Sequence, residues 1–147
     1  MSDEAFEPAM PSDQELRSIL GDAHTIAVVG LSSKTYRDSY SVAGYLQTKG
    51  YRIIPVNPNE KEVLGERSHS SLRDIDEPVD VVDVFRPAEE APEIARQAAA
   101  IGAKVLWLQE GIHSDEAERI AREAGLTFVS NRCMGETHWI LFHDGDG

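Results

Sequence analysis

The chain predicts an α/β fold: a doubly wound, mainly parallel five-stranded sheet with helices on both faces. Three observations carry that expectation. Five short apolar runs recur along the 147 residues, helical stretches separate most of them, and each run ends on glycine, proline, asparagine or polar residues that turn the chain. Short, almost continuously apolar strands joined by amphipathic crossovers are what a parallel sheet requires, because both of its faces are covered.

The elements follow in order. Residues 1–11 hold Pro8 and Pro11 among acids with little to bury, so a flexible acidic leader is expected before a single domain over 12–147 that includes the C-terminal tail. Ser12 and Glu15 form a capping box ahead of Leu16, Ile19 and Leu20, and Gly21 offers a left-handed stop. These predict a helix over 12–21, packed across the sheet edge. Strands are expected at 25–29, 51–56, 79–85, 104–108 and 126–129. Helices are expected over 40–49 with Val42, Tyr45 and Leu46 as the apolar face, over 88–101 with Ala91, Ile94, Ala95 and Ala98, and over 114–124 with Ala117, Ile120 and Ala121. Gly50, Gly102 and Gly125 close them where a C-terminal stop belongs. The segment 59–78 is less regular, with one helical turn over 70–75. The right-handed rule for parallel crossovers makes the whole a Rossmann-like sheet.

Composition narrows the function. The 26 Asp and Glu outnumber the 14 Lys and Arg, a formal net charge of −12, which weighs against gripping a nucleic-acid duplex. The single cysteine, Cys133, excludes an intrachain disulfide and any zinc site built on several thiolates, and suits a reducing compartment. No apolar run approaches the ~18 residues that a membrane span needs, and the N-terminus is acidic where a signal peptide is basic. A cytoplasmic protein without a membrane partner is expected. Within residues 25–58, Lys34, Arg37, Lys49 and Arg52 face only Asp38, so a local cationic patch suited to one small phosphorylated ligand is expected on an acidic body.

In open α/β sheets the ligand crevice lies beyond the carboxyl ends of the strands. Gly30 lets the chain turn off the first strand, and Ser32, Ser33, Ser39 and Ser41 offer hydroxyls and backbone amides near the start of the next helix. Unpaired N–H groups there favour phosphate, with Lys34 and Arg37 adding mobile charge. The loop Gly30-Leu31-Ser32-Ser33-Lys34-Thr35 departs from the dinucleotide fingerprint, having Ser and Thr where further glycines belong. The second strand ends Val56-Asn57-Pro58, without the carboxylate that holds a ribose in NAD sites, and no P-loop is present.

Taken together, Ile26 to Ser32 with Ser39-Tyr40-Ser41, Tyr51 to Pro58, Val81 to Arg86, Ile101 to Gly111 and Asn131-Arg132-Cys133 resemble the small stand-alone CoA-binding proteins. Their Rossmann-like fold is shared with the CoA-binding domain of the succinyl-CoA synthetase α subunit. The resemblance covers residues 12–133. It implies coenzyme A lying across the strand ends, with pyrophosphate over 30–41 and adenosine near Asn57, Pro58, Val84, Phe85 and Arg86. Gln109 and Gly111 would then shape the floor near the pantetheine arm. Side-chain chemistry agrees: Pro58 and Phe85 offer flat apolar surfaces to a purine, while Arg86 and Lys34 can meet phosphate.

No catalytic residue is expected. Asp83 and Glu110 lie near strand ends without a second member, and the synthetase's catalytic phosphohistidine belongs to a separate domain. The expected function is binding CoA or a short acyl-CoA as carrier, sensor or regulator. Cys133, on the same edge, is a candidate for thiol exchange with CoA. Cys133, His138 and His143 lack the paired spacing of structural zinc sites, so no metal is expected, and His24, His69 and His113 stand apart as surface or loop residues. Two other classes remain open. One is an NAD(P)-linked oxidoreductase or CoA-dependent acyltransferase in the same crevice. The other is an interaction module with a vestigial nucleotide crevice, in which the apolar tail 139–142 lies on a partner or a second copy.

Overall fold

The computed structural model describes residues 10–143. Helix α1 (Asp13–Asp22) precedes β1 (Thr25–Val29), α2 (Asp38–Thr48) and β2 (Arg52–Val56). Two short strands follow, β3 (Glu62–Val63) and β4 (Glu66–Arg67), then β5 (Val81–Val84), α3 (Ala91–Ala100), β6 (Val105–Leu108), α4 (Asp115–Glu123), β7 (Thr127–Val129) and α5 (Met134–Phe142). Single 3₁₀ turns lie at Leu72–Asp74 and Ala88–Glu90. The main sheet has the order β2-β1-β5-β6-β7, with every pairing parallel, so the five predicted strands are the five strands of the Rossmann-like sheet.

Alternation along the strands divides the core in two. Ala27, Val29, Val82, Val84, Leu106, Leu108 and Phe128 pack beneath α3, α4 and Leu72 on one face. Ile26, Val28, Ile53, Val81, Val105, Trp107 and Val129 pack beneath α1, α2 and α5 on the other. Trp107 is fully buried, and its indole N–H donates to the Arg132 carbonyl at 2.7 Å, which satisfies the one polar atom that burial would leave costly. Asp83 shares this second face. It is fully buried, its Oδ1 accepts from the Gln109 amide at 2.6 Å, and its Oδ2 has no partner among the described residues. Burial pushes its carboxyl up to about 7 against the weaker opposing effect of the Gln109 bond.

Several expectations need correction. The Ser12–Glu15 capping box forms in both directions, but Gly21 lies inside α1, and the chain leaves through an extended Ala23 instead of a left-handed stop. That exit is short because the Asp80 carboxylate takes the N–H groups of His24 and Thr25 at 2.8 and 2.9 Å and draws the chain straight into β1. Helix α1 lies on a face of the sheet, with Leu16 and Leu20 in the second core, and not across the edge. The 59–78 segment holds the expected helical turn and, in addition, the β3–β4 hairpin. Its two-residue turn, Leu64-Gly65, has both φ values positive, at 56° and 78°, as a type I′ turn demands. The tail becomes α5: Met134, His138 and Leu141, spaced as one helical face, turn inward, while Trp139 and Ile140 remain half exposed. Of the acidic leader, residues 1–9 lie outside the described residues. No helix among the described residues is long and apolar enough to cross a membrane.

The point that positions the site is the end of β1. Gly30 has φ of +90°, and a Cβ there would stand 2.7 Å from the Phe85 carbonyl oxygen and 2.9 Å from Arg86 Cδ. Both the conformation and the contact demand glycine. Gly30→Ala is expected to lower unfolding free energy by roughly 2 kcal/mol or more, measured by urea denaturation, through backbone strain and overpacking together. Asp83 gives a second expected outcome. Its folded carboxyl keeps a proton that the unfolded chain, with a carboxylate near ~3.9, releases, so its contribution to stability falls as pH rises from about 4 towards 7. Asp83→Asn lacks this titration. The difference in urea midpoint between Asp83→Asn and the parent chain should therefore move in the variant's favour across that window, by at most a few kcal/mol in free energy.

Candidate functional site

The chain runs from β1 to β2 on one side and later crosses to β5 on the other, so the loops that follow β1 and β5 leave in opposite directions. The crevice opens at that switch point. Three backbone bonds fix where its loops begin: Gly30 N–H donates to Val56 O at 2.8 Å, Phe85 N–H to Val29 O at 2.9 Å, and Gln109 N–H to Val84 O at 3.2 Å. Three adjoining cavities of about 490, 510 and 580 Å³ lie over these ends, and Arg86 lines all three.

The largest is polar and cationic. Ser32, Lys34, Tyr36, Arg37 and Ser39 line it with Gly30, Asn57 and Arg86, and so do the acids Asp38 and Glu60. The loop's amides are partnered by side chains: Ser32 N–H donates to Ser39 Oγ at 3.1 Å, Lys34 N–H to Ser32 Oγ at 3.1 Å, and Ser33 N–H to the Glu60 carboxylate at 2.8 Å. Helix α2 starts two residues earlier than expected, at Asp38, and Ser39 is buried against the loop it braces. Ser41 faces a different cavity, the one that holds Cys133.

The second cavity is lined by Gly30, Asn57, Pro58, Ser71, Leu72, Ile94 and Gln97, with Glu89, Glu90 and Glu93 on its rim. It joins an apolar floor to neutral hydrogen-bonding groups. Asn57 is partly structural there: its amide donates to Leu31 O at 3.0 Å and its Oδ1 accepts from Asn59 N–H at 2.9 Å. Arg86 is engaged by Glu90 through two bonds of 3.0 and 2.7 Å, so its guanidinium is held in place by an acid spaced one helical turn on.

The third cavity is lined by Ser41, Val42, Phe85, Arg86, Pro87, Gln109, Ile112 and Cys133, with Asp38, Glu110 and Glu136 at its edge. Cys133 caps α5, its sulfur accepting from Glu136 N–H at 3.4 Å. Burial and the nearby Asp83 and Glu136 carboxylates push its thiol up, against the N–H groups of Glu136 and Gly135. The sulfur is thus held as a neutral thiol at neutral pH.

Of the sequence-predicted residues, Gly30, Ser32, Lys34, Arg37, Ser39, Asn57, Phe85 and Arg86 come together around the polar cavity. Pro58, and then Ser41, Gln109 and Cys133, join through its two neighbours. Ser33 is turned to Glu60, Val84 is fully buried within β5, and Gly111 donates its N–H to Asn131 Oδ1 at 2.7 Å; none of the three lines these cavities. The expected cationic patch over 25–58 is not one patch. Lys49 caps the far end of α2, and Arg52 opens β2 at the amino end of the sheet, paired with Glu66 and Glu77 at 2.9 and 2.8 Å. Parallel strands separate their two ends, so charge summed along the chain mixes opposite poles of the fold.

Glu60, Glu90 and Ile112 were missed. The Arg86–Glu90 spacing was a readable helical signal, whereas Glu60 reaches the loop only through the fold of 57–60. Cys133, His138 and His143 do not gather into a ligand set: His138 Nδ1 meets the Tyr45 hydroxyl at 2.9 Å, and His143 Nδ1 meets Trp139 O at 2.6 Å. The donor atoms of His113, Asp115 and Glu118 do lie within 4.8 Å of one another, but His113 is bonded to Ser130 and Asp115, and Glu118 to Arg122.

Comparison with known proteins identifies the family and the fold. The profile of the family described as "CoA binding domain" matches residues 24–139. The uncharacterized protein YneT of Bacillus subtilis is 41% identical over 130 residues, covering 88% of this chain and 96% of that protein. A hypothetical protein from Pyrococcus horikoshii has a solved structure that superposes with a TM-score of 0.87 at 41% identity, over 92% of this chain and 99% of that one. The ADP-forming acetate–CoA ligase II of Archaeoglobus fulgidus is 29% identical over 97 residues, which are 65% of this chain and 14% of the ligase. With its matched span, its parallel sheet and its crevice at the β1–β5 switch point, the chain belongs to the CoA-binding domain family.

Proposed function

We propose that the protein binds coenzyme A or a short acyl-CoA in the cytoplasm, as a carrier, sensor or regulator without catalysis of its own. The observation that carries this reading is the chemical order of the three cavities around Arg86. The polar one, with Lys34, Arg37 and serine hydroxyls, suits the phosphates. The one over Pro58, Leu72 and Ile94 suits adenine: its apolar floor takes a ring face, Asn57 and Gln97 can meet ring nitrogens, and its rim acids would repel a phosphate. The one beside Gln109, Ile112 and Cys133 suits the slender pantetheine arm and its thiol. Membership of the family supports the ligand class.

Among the described residues that line the three cavities, no base and nucleophile are hydrogen-bonded to act together. Cys133 is kept protonated, and Asp83, the one strongly perturbed carboxyl nearby, is bonded to Gln109 beneath the cavities. A nicotinamide dinucleotide would meet no ribose-binding carboxylate at Asn57-Pro58. Thermal unfolding with CoA, acetyl-CoA, NAD, NADP and ATP tests the assignment. CoA or acetyl-CoA should raise the melting temperature at the lowest concentration, and Arg86→Ala and Lys34→Ala should each weaken CoA by about tenfold, the scale of one lost charge-assisted contact. A shift with NAD alone, or no shift at millimolar CoA, removes the assignment.

The placement of Cys133 adds a chemical consequence. With CoA disulfide as oxidant, the Cys133 thiolate attacks one CoA sulfur, a mixed disulfide forms, and the other CoA leaves as a thiolate that takes up a proton. Because the thiol is pushed up, the reaction should be slow at pH 7 and speed up towards pH 9. Intact-mass spectrometry should then show a reductant-sensitive CoA adduct that Cys133→Ser abolishes. Absence of the adduct at pH 9 rules the exchange out.

A further inference from the structure

One oxygen of Glu60 receives two donors from the same residue: Ser33 N–H at 2.8 Å and Ser33 Oγ–H at 2.9 Å. That pair of converging donors is the arrangement a loop presents to a phosphate oxygen. The carboxylate is delivered by a built frame. Glu60 N–H closes a turn onto Asn57 O at 3.2 Å, Asn59 N–H bonds Asn57 Oδ1, and the Asn57 amide anchors the turn to Leu31 O, one residue past Gly30. Lys34 and Arg37 line the same cavity as Glu60, yet neither forms an ion pair with it or with any other acid among the described residues. Glu60 therefore occupies both donors of Ser33 and leaves the loop's two cations without an ion-pair partner among the described residues.

We propose that the Glu60 carboxylate is an internal occupant of the phosphate loop, an anion that an incoming phosphoryl group displaces from Ser33, and so the residue that sets how strongly this site takes phosphorylated ligands. The inference rests on the reading that the 30–41 loop receives phosphate, and it goes further by naming what the phosphate replaces. On binding, Ser33 N–H and Oγ–H pass from carboxylate to phosphoryl oxygen, Glu60 turns to water, and Lys34 and Arg37 meet the remaining phosphate oxygens. The exchange conserves the number of hydrogen bonds. Its unfavourable part is the repulsion between the ligand and a carboxylate that stays within a few ångströms. A ligand without phosphate leaves the Ser33–Glu60 contact closed.

The opposite role, a brace that shapes the loop for its ligand, predicts weaker binding when Glu60 is removed. The test compares the full chain with Glu60→Gln, which keeps an acceptor for Ser33 and removes the charge, and with Glu60→Ala, which removes both. The probes are inorganic pyrophosphate, followed by phosphorus NMR, and CoA and pantetheine, followed by calorimetry, with the melting temperature of each variant confirming that it is folded. Both variants should bind pyrophosphate and CoA roughly five- to tenfold more tightly, the effect of removing one like charge at close range in a solvated site, while pantetheine is unchanged. Pyrophosphate and CoA bound equally or more weakly by both variants overturn the proposal, as does equal tightening of pantetheine. If pyrophosphate tightens but no form of the protein binds CoA, the displaced-anion proposal stands and the CoA reading falls. If CoA binds the parent chain and neither variant tightens pyrophosphate, the reverse holds.

Discussion

The approach of β1 to β5 at their carboxyl ends is the constraint from which the rest of the site descends. Gly30 passes so near the Phe85 carbonyl that no side chain fits between them, and the sheet's hydrogen bonding continues one residue past β1, from Gly30 to β2, and one residue past β5, from Phe85 to β1. Three loops therefore start from fixed points within the sheet. One runs towards α2, one towards the Asn57 turn and one towards α3, and Arg86 stands where they part. Its pairing with Glu90 ties that junction to the turn that opens α3. The position of the crevice is thus a consequence of strand order, and its reach is a consequence of how sharply the loops diverge.

The electrostatics of the crevice are more finely balanced than an acidic protein with a cationic loop suggests. Lys34, Arg37 and Arg86 supply positive charge, while Asp38, Glu60 and the acids of α3's first turn stand close by. Polar groups beneath the crevice are committed to each other: Asp83 to Gln109, and Trp107 to the backbone of Arg132 just before Cys133. The floor is accordingly rigid and close to neutral, and the adjustable charges lie in the loops above it. Such a division suits reversible binding of a ligand whose anionic groups are concentrated at one end.

Much of this is legible in the amino-acid sequence. Each strand is a run of apolar residues long enough to cross a covered sheet, and each helix from α2 to α4 ends at a glycine in the left-handed conformation, as Gly50, Gly102 and Gly125 show. The capping box at Ser12 and Glu15 is a local device that forms wherever its four residues do. Elements whose signals are local could be read, and so could the residues that immediately follow a strand. The C-terminal helix was missed although Met134, His138 and Leu141 carry its period, because Gly135 and Thr137 are weak helix formers that only packing on α2 and the body makes helical.

The amino-acid sequence by itself determined the class of fold, the edge of the sheet at which the crevice opens, and most of the side chains that meet there, because apolar runs, glycine turns and helix caps act over a few residues. Tertiary structure alone decided which of those side chains are free to meet a ligand. Ser33 and Glu60 are 27 residues apart. Asp83 and Gln109 are 26 apart. Lys49 and Arg52, near Lys34 in sequence, stand at the opposite end of the sheet. Hydrogen bonds and charges act through distance in space, and in a parallel sheet each crossover returns the chain to the amino end before the next strand, so closeness along the chain says little about which charges share a crevice.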